Sequence, residues 1–263
     1  MPNKKGTKRV AAQPKAPRTK LAKTSLGNDV SAAGDRETIQ REKIDKKTCE
    51  NDTSPFSEAR CIEWFRHYAE KSKSKKGASA ISRNGLAKFC AAVDMDPNDV
   101  AAIVLSKKLD LKSEEDTVSQ SSWVAVMAKL ECDSNEKFKK KMPEMLLEIK
   151  KRPELVALCE YAFGLAKQPG EKAVATEVAA ELFSVMLKSS WALFPDFAEF
   201  FQSSGTKGVS LDTFVGVCDL ANRHPDLSSV QAYDSSLAWP SLADEFMETL
   251  TKKLPERQGN EEN

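Results

Sequence analysis

The stretch Leu237-Ala238-Trp239-Pro240-Ser241-Leu242-Ala243-Asp244-Glu245-Phe246-Met247-Glu248-Thr249-Leu250 decides the fold class and anchors the rest of the chain. Trp239 precedes a proline and is pushed toward extended backbone, while Pro240 has its φ pre-set for the first position of a helix. A helix therefore starts here. Leu242, Phe246 and Thr249/Leu250 recur on one side at helical spacing, with Asp244, Glu245 and Glu248 elsewhere round the turn. By pattern alone this is an amphipathic helix with an anchored start.

Upstream, the same period returns again and again. Ser210 with Asp212 and Thr213 opens a helix with Phe214, Val217 and Cys218 inward, Val209 forms a brief extended segment, and residues 223–237 are an irregular connection. Phe194, Phe197, Phe200 and Phe201 mark a helix stopped by Gly205, and Val178, Leu182, Phe183 and Met186 mark another. Arg152-Pro153 begins the helix of Leu155, Leu158, Cys159, Ala162 and Leu165/Ala166, which ends at Pro169-Gly170. Phe138, Met142, Met145/Leu146 and Ile149 lie on a helix that Pro143 should break or kink. Ser119 caps the helix of Trp123, Met127 and Leu130; Asn84 caps that of Leu86, Phe89, Cys90 and Val93; Asp96-Pro97 starts that of Val100, Ile103, Val104 and Leu105. Order begins at Ser54-Pro55-Phe56, with Cys61, Ile62, Phe65 and Tyr68/Ala69 on the first helix and a Lys/Ser/Gly loop from Lys71 to Ala80. No sustained strand alternation occurs. The fold class is all-α.

At 263 residues and 40% hydrophobic, the chain can bury a full core in one large domain or two lobes. The expected division is a tail over 1–53, a domain over 54–254 with lobes of about 54–150 and 151–254, and a polar tail over 255–263. The +1 net charge hides an asymmetry: residues 1–25 hold eight Lys/Arg and no acid, leaving 32 basic against 39 acidic residues elsewhere, a balance of −7. Residues 1–53 contain no aromatic residue and too few aliphatics to offset the entropy of ordering, so a disordered basic tail is expected. Lys4, Lys5, Lys8 and Arg9 form a candidate nuclear-import address, against a solvated tail as the plain alternative; without interleaved aromatics, nucleic-acid binding is disfavoured. A nuclear and cytoplasmic protein is expected, with no membrane span or secretory segment.

The six cysteines are dispersed, with no C-x-x-C, and the only histidines are His67 and His224, so neither a disulfide framework nor a zinc site is expected. A calcium loop beginning at Asp94 would need Gly at its sixth position and Glu at its twelfth, where Asp99 and Leu105 stand. No metal or other cofactor is implied. No phosphate-cradling loop, nucleophile elbow or metalloprotease motif is present, and Cys90, Cys159 and Cys218 fall on core faces where a thiol is inert. No catalytic residue is assigned.

The string Ala-Trp-Pro-Ser-Leu-x-Asp-Glu-Phe resembles the closing signature of the defective-in-cullin-neddylation family, whose members carry a potentiating-neddylation domain. The resemblance continues through Asn84 to Cys90, Asp94-Met95-Asp96-Pro97, Cys132-Asp133-Ser134, Tyr161 to Lys167 and Val209 to Phe214, in the family's order and across about Phe56 to Leu254. It implies a two-lobed helical domain with EF-hand-like helix pairs in the N-terminal lobe and no ion. It implies a scaffold-type co-ligase that holds a cullin's C-terminal winged-helix domain beside the neddylation conjugating enzyme, within cullin-RING ligase complexes. A helical adaptor that binds the cullin without stimulating transfer is the alternative. The family's cullin-binding patch maps onto Asp212, Ala238 and Asp244, with two extra residues in the intervening connection. Its apolar pocket for the conjugating enzyme's acetylated N-terminus maps onto Leu86, Ala102, Ile103, Leu105, Val118, Leu165 and Val185. Arg83 stands where that pocket usually has an apolar residue, and Ala102 and Val118 are smaller than expected.

Overall fold

The computed structural model describes residues 54–70, 79–113 and 116–258. The basic tail, its import candidates and Cys49 lie outside the described residues. Among the described residues the architecture is helical, with strands only two or three residues long. In the first half the order is α1 (Glu58–Tyr68), β1 (Ala80–Ile81), α2 (Arg83–Ala92), α3 (Val100–Lys108), β2 (Val118–Ser119), α4 (Gln120–Lys129) and α5 (Asn135–Glu148). In the second half it is α6 (Arg152–Ala166), β3 (Ala173–Ala175), α7 (Thr176–Leu187), α8 (Phe194–Ser203), β4 (Gly208–Ser210), α9 (Leu211–Arg223), a 3₁₀ turn (Leu227–Ala232) and α10 (Ser241–Gln258).

Each half is thus built on two helix–strand–helix units whose strands pair antiparallel, Ile81 opposite Val118 in one and Val174 opposite Val209 in the other. The strands lie between α1 and α2 and between α3 and α4. They avoid the Asp94–Asn98 turn where the sequence suggests helix–loop–helix pairing. Serines at the strand ends then start the helices: Ser82, Ser119 and Ser210 accept from the backbone N–H three residues on, at 3.3, 3.1 and 3.2 Å. Ser82 therefore caps α2, with Asn84 already inside the helix. Helix α3 starts at Val100 rather than at Pro97, because the Asp96 carboxylate accepts from Asn98 N–H at 2.8 Å and closes a separate turn.

Helix α5 runs unbroken through Pro143. Pro143 is exposed, so the Lys139 carbonyl that loses its partner lies on the wet side, while buried Phe138 and Met145 hold the helix on both sides of it. At the other end of the chain α10 extends to Gln258, into the segment expected to be a polar tail.

The first half packs round Trp64, Phe89, Trp123 and Phe138, edge to face at 4.9 Å for Trp64–Trp123 and 5.1 Å for Phe89–Phe138. Phe183, Trp191, Phe197 and Phe214 fill the second, and Phe246 of α10 closes it at 5.3 Å from Phe197. Helix α3 packs on α6 and α7, and polar bonds tie the halves together: Tyr161 Oη donates to Leu111 O at 2.6 Å and Asn222 Nδ2 to Lys150 O at 2.8 Å.

Candidate functional site

The site begins with two helix starts held against each other. Ser210 caps α9 and leaves Asp212, in the first turn, exposed. At the other start, Pro240 sits one position before α10, its carbonyl accepting from Ala243 N–H at 2.8 Å and Asp244 N–H at 3.2 Å. The Pro240 ring lies directly on α9 at Gly216, where an added Cβ would fall 2.3 Å from Pro240 Cγ. Only glycine permits that approach. It brings exposed Ala238 beside Asp212, and both line a cleft of about 600 Å³ together with Thr213, Ser241 and Glu245. A second cleft of about 620 Å³ opens on the α6 side of the same pair, floored by Val156, Val215 and Pro240. The charged lining residues of the first cleft are both acids, Asp212 and Glu245.

Trp239 is the hinge pin of this surface. Its ring stacks on Tyr233 at 5.9 Å, the Arg223 guanidinium lies 5.3 Å from its centroid, and its Nε1 donates to Asp234 O at 3.2 Å. Arg223 is fixed in turn by Asp219, a buried acid that also meets Arg152, at 3.1 and 3.4 Å. Asp244 belongs to neither cleft lining: it is half-buried and accepts a hydrogen bond from the Tyr233 hydroxyl. Burial first, and then that bond to Asp244, raise the Tyr233 pKa well above the usual phenol value.

Residues 137–249 match the family model described as cullin binding, a span that contains Asp212, Ala238 and Asp244. The chain is 28% identical to human DCN1-like protein 4 over 233 residues, covering 88% of this chain and 76% of that protein. It is 27% identical to human DCN1-like protein 5 over 73% of this chain and 78% of that one, and 26% identical to Drosophila melanogaster DCN1-like protein 4 over 74% and 76%. These matches support the defective-in-cullin-neddylation family as the one this chain resembles.

Of the three residues expected to form a cullin-binding patch, the fold brings Asp212 and Ala238 into one cleft and turns Asp244 toward Tyr233. Glu245, Gly216, Tyr233 and Arg223 were not singled out from sequence. Helical phase places Glu245 beside Ser241, but the roles of the other three depend on contacts across the connection that no local pattern encodes.

The candidate conjugating-enzyme pocket is less open. Leu105 and Val118 are buried, 2% and 1% exposed; Leu86, Ala102, Ile103 and Val185 are half-buried, and Leu165 is exposed at 42%. Among their elements, α3, which carries Ala102, Ile103 and Leu105, packs on both α6 and α7, which carry Leu165 and Val185. Two of the seven residues are therefore core.

The described cysteines are all buried and free. Burial pushes the thiols of Cys61 and Cys132 up to about 11 and raises that of Cys90, while a hydrogen bond to Cys159, with burial, raises Cys218. Such thiols stay protonated at neutral pH and are poor nucleophiles. His224 is held between Trp191 and Ser229, with Trp191 Nε1 donating to its carbonyl at 2.8 Å and Ser229 O 2.9 Å from its Nδ1. Asp94, tested above as a calcium ligand, pairs with Lys139 at 2.6 Å.

Proposed function

We propose that this chain is a non-catalytic scaffold co-ligase: it binds the C-terminal winged-helix domain of a cullin and the neddylation conjugating enzyme, and so promotes transfer of the ubiquitin-like modifier to the cullin lysine. The observation that carries this reading is the acid-lined cleft of Asp212, Ala238 and Glu245 built on the Gly216–Pro240 contact, inside the region similar to cullin-binding proteins. Carboxylates at exposed helix starts suit Lys and Arg of a basic partner, and a small alanine admits close approach. Rate enhancement then comes from raised effective concentration and orientation of two bound partners.

A second reading, an adaptor that binds the cullin without stimulating transfer, draws on the candidate pocket residues Leu105 and Val118, which are core, and on exposed Arg83, where an apolar residue is expected. Single-turnover transfer from the charged conjugating enzyme to a cullin C-terminal fragment tests both. Acceleration by the wild-type chain supports the co-ligase; cullin binding without acceleration supports the adaptor. The basic tail bearing Lys4, Lys5, Lys8 and Arg9 is proposed to direct nuclear import, with a cytoplasmic pool remaining. Retention of nuclear signal after all four are changed to Ala would refute that part.

A further inference from the structure

We propose that Tyr233 is a positioning residue of the docking surface: its hydroxyl holds the Asp244 carboxylate in one orientation, so that the remaining oxygen is offered to a basic side chain of the cullin. The proposal rests on the docking reading above and adds what organises it. A carboxylate on the first turn of an exposed helix ordinarily samples several rotamers, and ordering it on binding costs affinity. Here that cost is met in advance. Tyr233 donates to Asp244, and Tyr233 is itself immobilised from both sides, its ring stacked on Trp239 at 5.9 Å and set edge-on to His224 at 5.5 Å.

The support extends back through the connection that joins α9 to α10. His224 Nδ1 lies 2.9 Å from Ser229 O, and Asp226 and Ser229 cap one another at the start of the 3₁₀ turn that ends at Tyr233. The connection between the two helices is therefore a bracket, and its tip is the phenol that fixes Asp244. One oxygen committed to Tyr233 leaves the second for a single partner cation, which favours one lysine or arginine in defined register over diffuse attraction.

The test is a double-variant cycle on the full chain, with affinity for a purified cullin C-terminal winged-helix domain measured by calorimetry. Tyr233→Phe keeps the stacked ring and removes only the donor. It is expected to weaken binding about 5-fold, the net worth of one ordinary hydrogen bond at a half-exposed site. In an Asp244→Asn background the same change is expected to have no further effect, whereas a merely structural role would weaken both backgrounds alike. Tyr233→Phe binding as tightly as wild type, or losing affinity equally in both backgrounds, overturns the proposal. A wild-type chain that does not bind the cullin domain overturns the docking reading together with this one, so the two failures are told apart.

Discussion

Asp133 shows how much can rest on one buried acid. Its side chain has no exposed surface, yet it accepts from Ser57 N–H and from Arg60, and it pairs with Lys137, so the start of α1 hangs on the start of α5. Burial alone would raise its pKa, but the bonds from Lys137, Ser57 and Arg60 outweigh it and hold the carboxyl below the ordinary value. A depressed carboxylate lends stability that is fully present above its unfolded pKa, about 4, and is lost as pH falls through the folded value. Acid titration of wild type and Asp133→Asn, followed by circular dichroism, should show a steeper loss of stability below about pH 4 in wild type. At neutral pH the variant should be destabilised by roughly 3 kcal/mol, because two cations lose their shared partner. Cys132-Asp133-Ser134 drew attention in the sequence only as part of a family string. Nothing local in it announces two cations from distant segments.

At the scale of elements, three successive helices end without glycine. Asp94, Asp110 and Glu131 follow α2, α3 and α4 with φ of 55°, 54° and 57°, and the next N–H in each case reaches back: Met95 to Cys90 O, Leu111 to Ser106 O and Cys132 to Met127 O, at 2.9, 3.1 and 2.9 Å. These are Schellman closures with an acid in the left-handed position. Glu131 is exposed and is the clearest test: Glu131→Gly should stabilise the protein by about 0.5–1 kcal/mol in urea denaturation by relieving that conformation. Helix stops at these places are hard to read in the sequence because they lack the glycine that usually marks them. Helix starts were easier, since Ser119 and Ser210 cap as their position suggests. Gly216 was invisible in sequence because its partner, Pro240, is remote along the chain. Gly216→Ala forces the two helix starts apart and should cost about 1–3 kcal/mol. Because Pro240 also seats Ala238, the same variant should weaken cullin docking, whereas Gly164→Ala, with open space around it, should leave docking unchanged.

For the molecule as a whole, the periodicity of apolar residues conveys the helices and the aromatic cores they bury, while the short strand pairs leave too few residues for an alternating pattern to register. The candidate cleft was legible only through the family resemblance, which points to Asp212 and Ala238; by pattern alone Asp212 is an ordinary acid in the first turn of a helix. The meeting of the two was not legible, since it follows from how α9 and α10 pack. Under the proposed function the molecule makes no bond itself: the described cysteines are buried and free, and an exposed acid-lined cleft lies in the region similar to cullin-binding proteins. The most direct measurement is single-turnover modifier transfer to a cullin C-terminal fragment at sub-saturating cullin, comparing wild type with Asp212→Ala/Asp244→Ala. Loss of most of the acceleration, recovered when the cullin fragment is raised toward saturation, is the predicted result; full acceleration by the double variant at every concentration would contradict the account.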